Sequence, residues 1–298
     1  MTAVADPYQQ KNTIVRFFAA PPPVRAAFRL LERTAPGLGA RWAERIWFTL
    51  PRPNDGQAPR TVRSATGTPF ALDVEGHDVI GEVWGDGPAI YLMHGWAGYA
   101  GQLAAFVPPL VARGYRVVAF DAPSHGRSAP GAYGPRSSSI PEFAAALTTV
   151  VARYGPAHGI VAHSMGCTAT AVALNAGLPA GRVALLAPMA SPASYARQFA
   201  AALGFGERTH RRLVARVERR VGVPMHHFDV PEIGRALAVP PPTLIVHDRD
   251  DTSTPVADGV AIAEAWCGSQ LHVTSGLGHR RLLRDPDVVA EVVDFVSG

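Results

Sequence analysis

Short apolar runs and amphipathic stretches alternate along most of this chain, and their order is its most informative feature. Residues 70–74 and 78–84 read as two strands of a hairpin, because Glu75, Gly76 and His77 interrupt an otherwise β-like pattern. After Gly85-Asp86-Gly87-Pro88, residues 89–93 form a nearly continuous apolar run, the pattern of a strand covered on both faces. From there strand and helix patterns alternate. Helices are predicted over 102–113, 139–154, 166–175, 256–267 and 286–296, and strands over 115–120, 160–163, 183–186, 242–247 and 271–274. Repeated strand–helix units imply an α/β fold with a mostly parallel sheet flanked by helices.

Two regions break the alternation. Residues 1–60 open polar, then Pro21-Pro22-Pro23 leads into a stretch with Val24, Ala27, Phe28 and Leu31 at helical spacing; a second amphipathic stretch covers 42–50. Residues 51–56, Pro-Arg-Pro-Asn-Asp-Gly, read as a linker. An amphipathic pair of this kind most commonly packs on a core, with covering a pocket as its other use. The second irregularity is a gap of about fifty residues between the strands near Leu186 and Leu244, well above ordinary connection lengths. It holds helical patterns over 195–203 and 207–221. The expected division is an N-terminal helical extension over 1–60, a core over 61–190 and 239–298, and a helical cap insertion over 191–238. Such a cap lies over the carboxyl ends of the strands, where open α/β sheets bind ligands.

Composition narrows the function classes. Hydrophobic residues make up 47% and charged residues 17%, which supports a packed core and excludes a disordered chain. The 28 basic against 24 acidic residues give a net charge of +4, and residues 207–220 alone carry six arginines and two glutamates. The basicity is therefore local and reads as a solvated helix face, which argues against nucleic acid as a partner. Those arginines also motivate the expectation that an acidic group on a substrate is tolerated. Cys167 and Cys267 sit in apolar, helix-like stretches and are expected as small buried thiols, with no disulfide framework. No basic start followed by an apolar core opens the sequence, and no run approaches the roughly 18 apolar residues of a membrane span. A cytoplasmic protein is expected.

The candidate chemistry centres on residues 160–167, Ile-Val-Ala-His-Ser-Met-Gly-Cys. An apolar strand ends in Ser164, and Ala162 and Gly166 are small enough to let strand and helix approach closely around a sharp turn. The helix behind the serine aims free N–H groups and its positive dipole end at any negative charge formed there. So short a motif arises by chance often enough that partners are needed. The loop His94-Gly95-Trp96-Ala97-Gly98 follows the first parallel strand and offers the Trp96 N–H as one oxyanion donor, with the Met165 N–H as the second. His279 lies after the last strand, flanked by Gly276 and Gly278, in the position of a base. Asp248, Asp250 and Asp251 follow the preceding strand and compete for the role of orienting acid. Asp251 is favoured because it leads directly into the next helix through Thr252-Ser253-Thr254-Pro255; a solvated loop or helix capping accounts for the others.

From about Phe70 to the C-terminus the chain resembles the α/β-hydrolase superfamily, in its serine esterase and lipase branch. The resemblance rests on the His94-Gly95 loop, the segment Asp121-Ala122-Pro123-Ser124-His125-Gly126-Arg127-Ser128, the Ser164 elbow, Asp251-x-x-Thr254-Pro255 and Gly278-His279, all in the family's order. It implies an α/β-hydrolase fold with Ser164 as nucleophile, His279 as base, Asp251 as acid and the backbone of Trp96 and Met165 as oxyanion hole. Asp121 and His125 would then be structural. Ala162 replaces the usual first glycine of the elbow, and Asp248 stands where a glycine is common. A serine rather than an aspartate nucleophile separates the chain from dehalogenases and epoxide hydrolases on the same scaffold.

The function this implies is hydrolysis of a small-molecule carboxylic ester through an acyl-enzyme, without cofactor or metal. Gly95, Gly98 and Gly101 do not complete a phosphate loop, and the adjacent His226 and His227 lack the surrounding ligands of a metal site. A thioesterase, acyltransferase, perhydrolase or C–C hydrolase would use the same triad, and a ligand-binding protein on a hydrolase scaffold is the alternative outside enzymes. Oligomeric state is not legible.

Overall fold

The computed structural model describes residues 20–51 and 67–298; most of the expected linker, and the polar opening stretch, lie outside the described residues. Two helices come first, α1 (Pro22–Thr34) and α2 (Pro36–Phe48), each with proline in its first turn, where a missing N–H costs nothing. The second begins well before the expected 42–50 stretch. Gly39 lies inside it because a side chain there would crowd Leu31 and Thr209, at 3.3–3.4 Å from an added Cβ.

A hairpin of β1 (Thr68–Val74) and β2 (His77–Trp84) then forms one edge of an eight-stranded sheet. The remaining strands are β3 (Ala89–Met93), β4 (Arg116–Phe120), β5 (Ala157–His163), β6 (Ala180–Leu186), β7 (Thr243–Asp248) and β8 (Gln270–Thr274). Their spatial order is β1-β2-β4-β3-β5-β6-β7-β8, antiparallel through β2–β4 and parallel from there on. The order reverses around β3, so the loops after β3 and β5 leave the sheet at its switch point, where such sheets bind ligands.

The connecting helices cover both faces. Tyr91 and Met93 of β3 join a cluster with Phe143 and Leu147 of α4 (Ile140–Tyr154), Ala169 of α5 (Met165–Asn175) and Ile262 of α9 (Val256–Ala265). Ile90 and Leu92 point the other way, to Leu110 of α3 (Val107–Ala112) and Val292 and Val296 of α11 (Pro286–Ser297). All five β3 side chains are buried, which explains a strand without polar alternation. The helix expected over 102–113 is instead a 3-10 turn, Ala100–Phe106, followed by α3. Pro108 and Pro109 cannot donate backbone bonds inside one continuous helix, so the helix restarts with them in its first turn.

Three helices lie between β6 and β7: α6 (Pro192–Leu203), α7 (Glu207–Val221) and α8 (Val230–Ala236). The first two pack with α1 and α2 around a third apolar cluster, which includes Phe28, Phe48, Phe199, Leu203, Leu213 and Val217. The N-terminal pair therefore joins the inserted helices more than the sheet. Glu44 of α2 pairs with Arg216 and Arg220 of α7, and the Arg220 guanidinium lies over the rings of Phe48 and Tyr133 at 4.6 and 4.9 Å. The arginine cluster expected to face solvent is thus partly an internal clamp. Among the described residues no helix is long and apolar enough to cross a membrane.

Candidate active site

Ser164 sits between β5 and α5 with φ 54° and ψ −123°, a left-handed conformation that costs a non-glycine residue of order 1–3 kcal/mol. Its surroundings hold it there. The Ser164 N–H donates to Leu186 O at 2.9 Å. A Cβ on Gly95 would lie 2.8 Å from the Ser164 Cβ, and one on Gly166 would lie 2.4 Å from His94 O, so the crossing tolerates no larger residue at either place.

The serine Oγ is 3.1 Å from His279 Nε2, and His279 Nδ1 is 2.7 Å from Asp251 Oδ2. The ring is carried by a four-residue helix α10 (Gly278–Arg281), reached through positive-φ glycines at 276 and 278. Asp251 is fully buried, and its other oxygen accepts from the N–H groups of Ser253 and Thr254 at 2.7 and 3.0 Å. Thr254 Oγ1 donates to Asp251 Oδ2 at 2.8 Å. Burial pushes the Asp251 carboxyl up, but the His279 hydrogen bond and charge and the Thr254 N–H outweigh it and hold the group below the ordinary carboxylate range.

The other two aspartates have different work. Asp248 accepts from Asp250 N, Leu277 N and Thr274 Oγ1, and Asp250 accepts from Gly276 N, so both tie down the loop that carries His279. Asp248 is buried, not the solvated carboxylate expected for a competitor of Asp251.

The loop after β3 is fixed from beneath. His94 Nδ1 donates to Gly95 O at 2.8 Å while its Nε2 accepts from Ala122 N, and His125 Nε2 accepts from Ala97 N at 3.1 Å. Burial lowers the His94 pKa to about 4, and burial with the neighbouring His94 lowers that of His125 to about 3, so both rings are neutral. Asp121 accepts from Ala100 N and Arg127 N and fastens the loop's far end. Trp96 and Met165 line the same cavity as Ser164, and among the described residues no acceptor engages either backbone N–H.

One neighbour escaped the sequence reading. His163, buried beside the nucleophile position, donates from Nε2 to His279 O at 2.9 Å, and the two rings lie 4.7 Å apart. Its place next to Ser164 was the available signal. Burial, reinforced by His279, keeps its pKa well below the usual histidine value, so it acts as a neutral strut.

These residues open on a cavity of about 790 Å3. Its walls include Trp96, Met165, Tyr195, Phe199 and Val217, together with Ile46, Trp47 and Phe48 of α2. None of the six arginines of α7 lines it; Arg45, Arg136 and Arg280 do. The α7 arginines, on which the expectation of a tolerated acidic substrate group rested, are therefore not part of the cavity lining. Cys267 is exposed rather than buried, because α9 ends at Ala265 and Trp266 turns inward, its Nε1 donating to Val230 O at 2.9 Å. Among the described residues no group of three or more His, Cys, Asp or Glu side chains is placed to hold a metal ion.

A serine on a strained strand-to-helix turn, hydrogen-bonded through histidine to a buried aspartate above a mostly parallel sheet, defines a class of α/β proteins. The model of the alpha/beta hydrolase family matches residues 90–292, and the chain belongs to that family. A non-heme haloperoxidase of Rhodococcus erythropolis is 35% identical over 99 residues, 33% of this chain and 35% of that protein, so this chain aligns with about a third of that relative's length. In fold it is similar to an esterase from a Rhodococcus species (20% identity, 78% of this chain and 99% of that one, TM-score 0.56). It is likewise similar to a bromoperoxidase from Bacillus anthracis (15% identity, 77% and 100%, TM-score 0.58).

Proposed function

We propose that this protein is a serine hydrolase that cleaves a carboxylic ester of a small-molecule substrate through an acyl-enzyme on Ser164. The observation that carries the reading is the unbroken hydrogen-bond path from Ser164 Oγ through His279 to Asp251, at 3.1 and 2.7 Å, opening on the cavity. In this reading His279 Nε2 takes the serine proton as Oγ attacks the ester carbonyl. Asp251, kept ionised, holds Nδ1–H in place and stabilises the imidazolium that forms. The N–H groups of Trp96 and Met165 receive the developing oxyanion, each worth about 2.7–4 kcal/mol in comparable sites. His279 returns its proton to the leaving alcohol, then activates a water that releases the acid.

The helical layer of α1, α2, α6 and α7 is read as the cap of this site. Free thiols at Cys167 and Cys267 are in keeping with a cytoplasmic enzyme. The test is hydrolysis of p-nitrophenyl butyrate with acid quenching and peptide mapping. A butyryl adduct on the peptide containing Ser164 is expected; turnover with no adduct there, or turnover that survives in Ser164→Ala, would refute the mechanism.

A further inference from the structure

The cavity has two features that a generic ester does not require. Part of the lining comes from α2, which lies outside the family-matched residues 90–292: Ile46, Trp47 and Phe48 line the same cavity as Ser164, packed with Phe199 and Val217, and the Trp47 and Phe199 rings meet edge-on at 5.2 Å. That apolar wall is far larger than an acetyl group needs. The second feature is charge. Arg45, Arg136 and Arg280 line the cavity, no aspartate or glutamate among the described residues does, and none of the three has a carboxylate within ion-pair distance among the described residues. By contrast, Arg216 and Arg220 outside the cavity are both committed to Glu44.

Arg136 is exposed but tied to Leu50: its backbone is left-handed at φ 58°, its carbonyl accepts from Leu50 N, and its guanidinium donates to Leu50 O at 2.7 Å. All three are exposed, so they lend the cavity opening a positive potential that salt screens. That potential favours an anion and leaves a neutral ligand indifferent.

Building on the esterase reading, we propose that the substrate is an amphipathic ester, with a large apolar group packed against Ile46, Trp47 and Phe48 of α2 and an anionic group drawn to the exposed Arg280 and Arg45. The ester bond breaks with water as co-reactant, giving a carboxylic acid and an alcohol that between them carry the apolar and the anionic group.

The test uses two esters that differ only in charge, 4-carboxyphenyl octanoate and its methyl ester, with 4-carboxyphenyl acetate as the short-chain control. Binding to Ser164→Ala is read from tryptophan fluorescence, since Trp42, Trp47 and Trp96 all line the cavity. The carboxylate is expected to bind about fivefold or more tightly than its methyl ester at low salt, as two rim ion contacts would give. The acetate is expected to bind at least about tenfold more weakly than the octanoate. Arg280→Gln with Arg45→Gln in the same background is expected to bring the charged-to-neutral ratio close to one. Equal or weaker binding of the carboxylate, a ratio unchanged in the double variant, or an acetate that binds as well as the octanoate would overturn the proposal. Hydrolysis of the same esters by the native protein separates the two readings. Binding with the expected ratios but no turnover refutes the esterase while leaving the ligand class; turnover without the ratios does the reverse.

Discussion

The sheet and the helical layer above it are stabilised in different ways. Parallel strands β3 and β5 to β7 bury apolar side chains on both faces, and their loops are fastened by neutral histidines and short backbone bonds. The layer of α1, α2, α6 and α7 has a smaller apolar cluster and relies on Glu44 with Arg216 and Arg220 to join α2 to α7. The groups proposed to react all project from the sheet, and much of the cavity wall comes from the layer. This contrast teaches that in such a fold the groups proposed to react and the side chains that shape the cavity can come from differently stabilised parts of the chain.

The largest expected effect separates chemistry from shape. Ser164→Ala is expected to lower kcat on a p-nitrophenyl ester by about 10^5-fold or more, with the circular dichroism spectrum and Tm within error of native. A loss of Tm of several degrees would mean that the strained serine is structural as well. Next, Leu92→Ala removes a fully buried side chain from the middle strand and is expected to cost about 2–5 kcal/mol in urea unfolding, with hydrogen exchange rising across the whole sheet. Exchange rising only near β3 would deny that the sheet unfolds as a unit.

Acidification is expected to act on the two regions with opposite sign. His94 and His125 are neutral when folded and have depressed pKa values, so the unfolded chain takes up protons first. Their contribution is whole above the unfolded value of 6.5 and is lost as pH falls from there towards about 4 for His94 and about 3 for His125. Asp258 of α9 joins the regions, accepting from Ala190 N and from Tyr195 Oη on α6 at 3.0 and 3.1 Å. Burial raises its pKa from 3.8 to about 6, so folding takes up a proton and stability declines as pH rises through that window. Asp258→Asn is therefore expected to stabilise the protein by on the order of 2 kcal/mol at pH 8 and to have little effect near pH 4, read from Tm against pH. An equal shift at both values would contradict the assignment.

How much was legible follows the same divide. Ser164, Asp251 and His279 stand at ends of strands in a fixed chain order, so local pattern and order sufficed to name them as candidates. The alternating strands and helices of the sheet were visible because one face or both of each element is apolar. The role of α2 was left open between packing on the core and covering a pocket, since Ile46, Trp47 and Phe48 have the spacing of any packed helix and nothing local marks a cavity wall. The clamp of Glu44 on Arg216 and Arg220 was hidden, because it joins residues more than 170 positions apart. Cys267 was misplaced because its apolar neighbours suggested a helix that Trp266 ends.

The smallest expected effect probes that clamp. Glu44→Gln is expected to cost about 1 kcal/mol, because Arg216 and Arg220 are partly exposed and can be solvated. Exchange protection should fall in α2 and α7 and stay unchanged in β3 to β7. The same loss should appear in the native protein at high salt. Uniform loss across the sheet would erase the distinction between the regions.

The most direct test of the whole account is intact mass after exposure to a fluorophosphonate, comparing native protein with Ser164→Ala and His279→Ala. A single adduct on the native protein that is absent from both variants is the expected result. An unlabelled native protein, or labelling that persists in Ser164→Ala, would contradict the claim that Ser164 is an activated nucleophile.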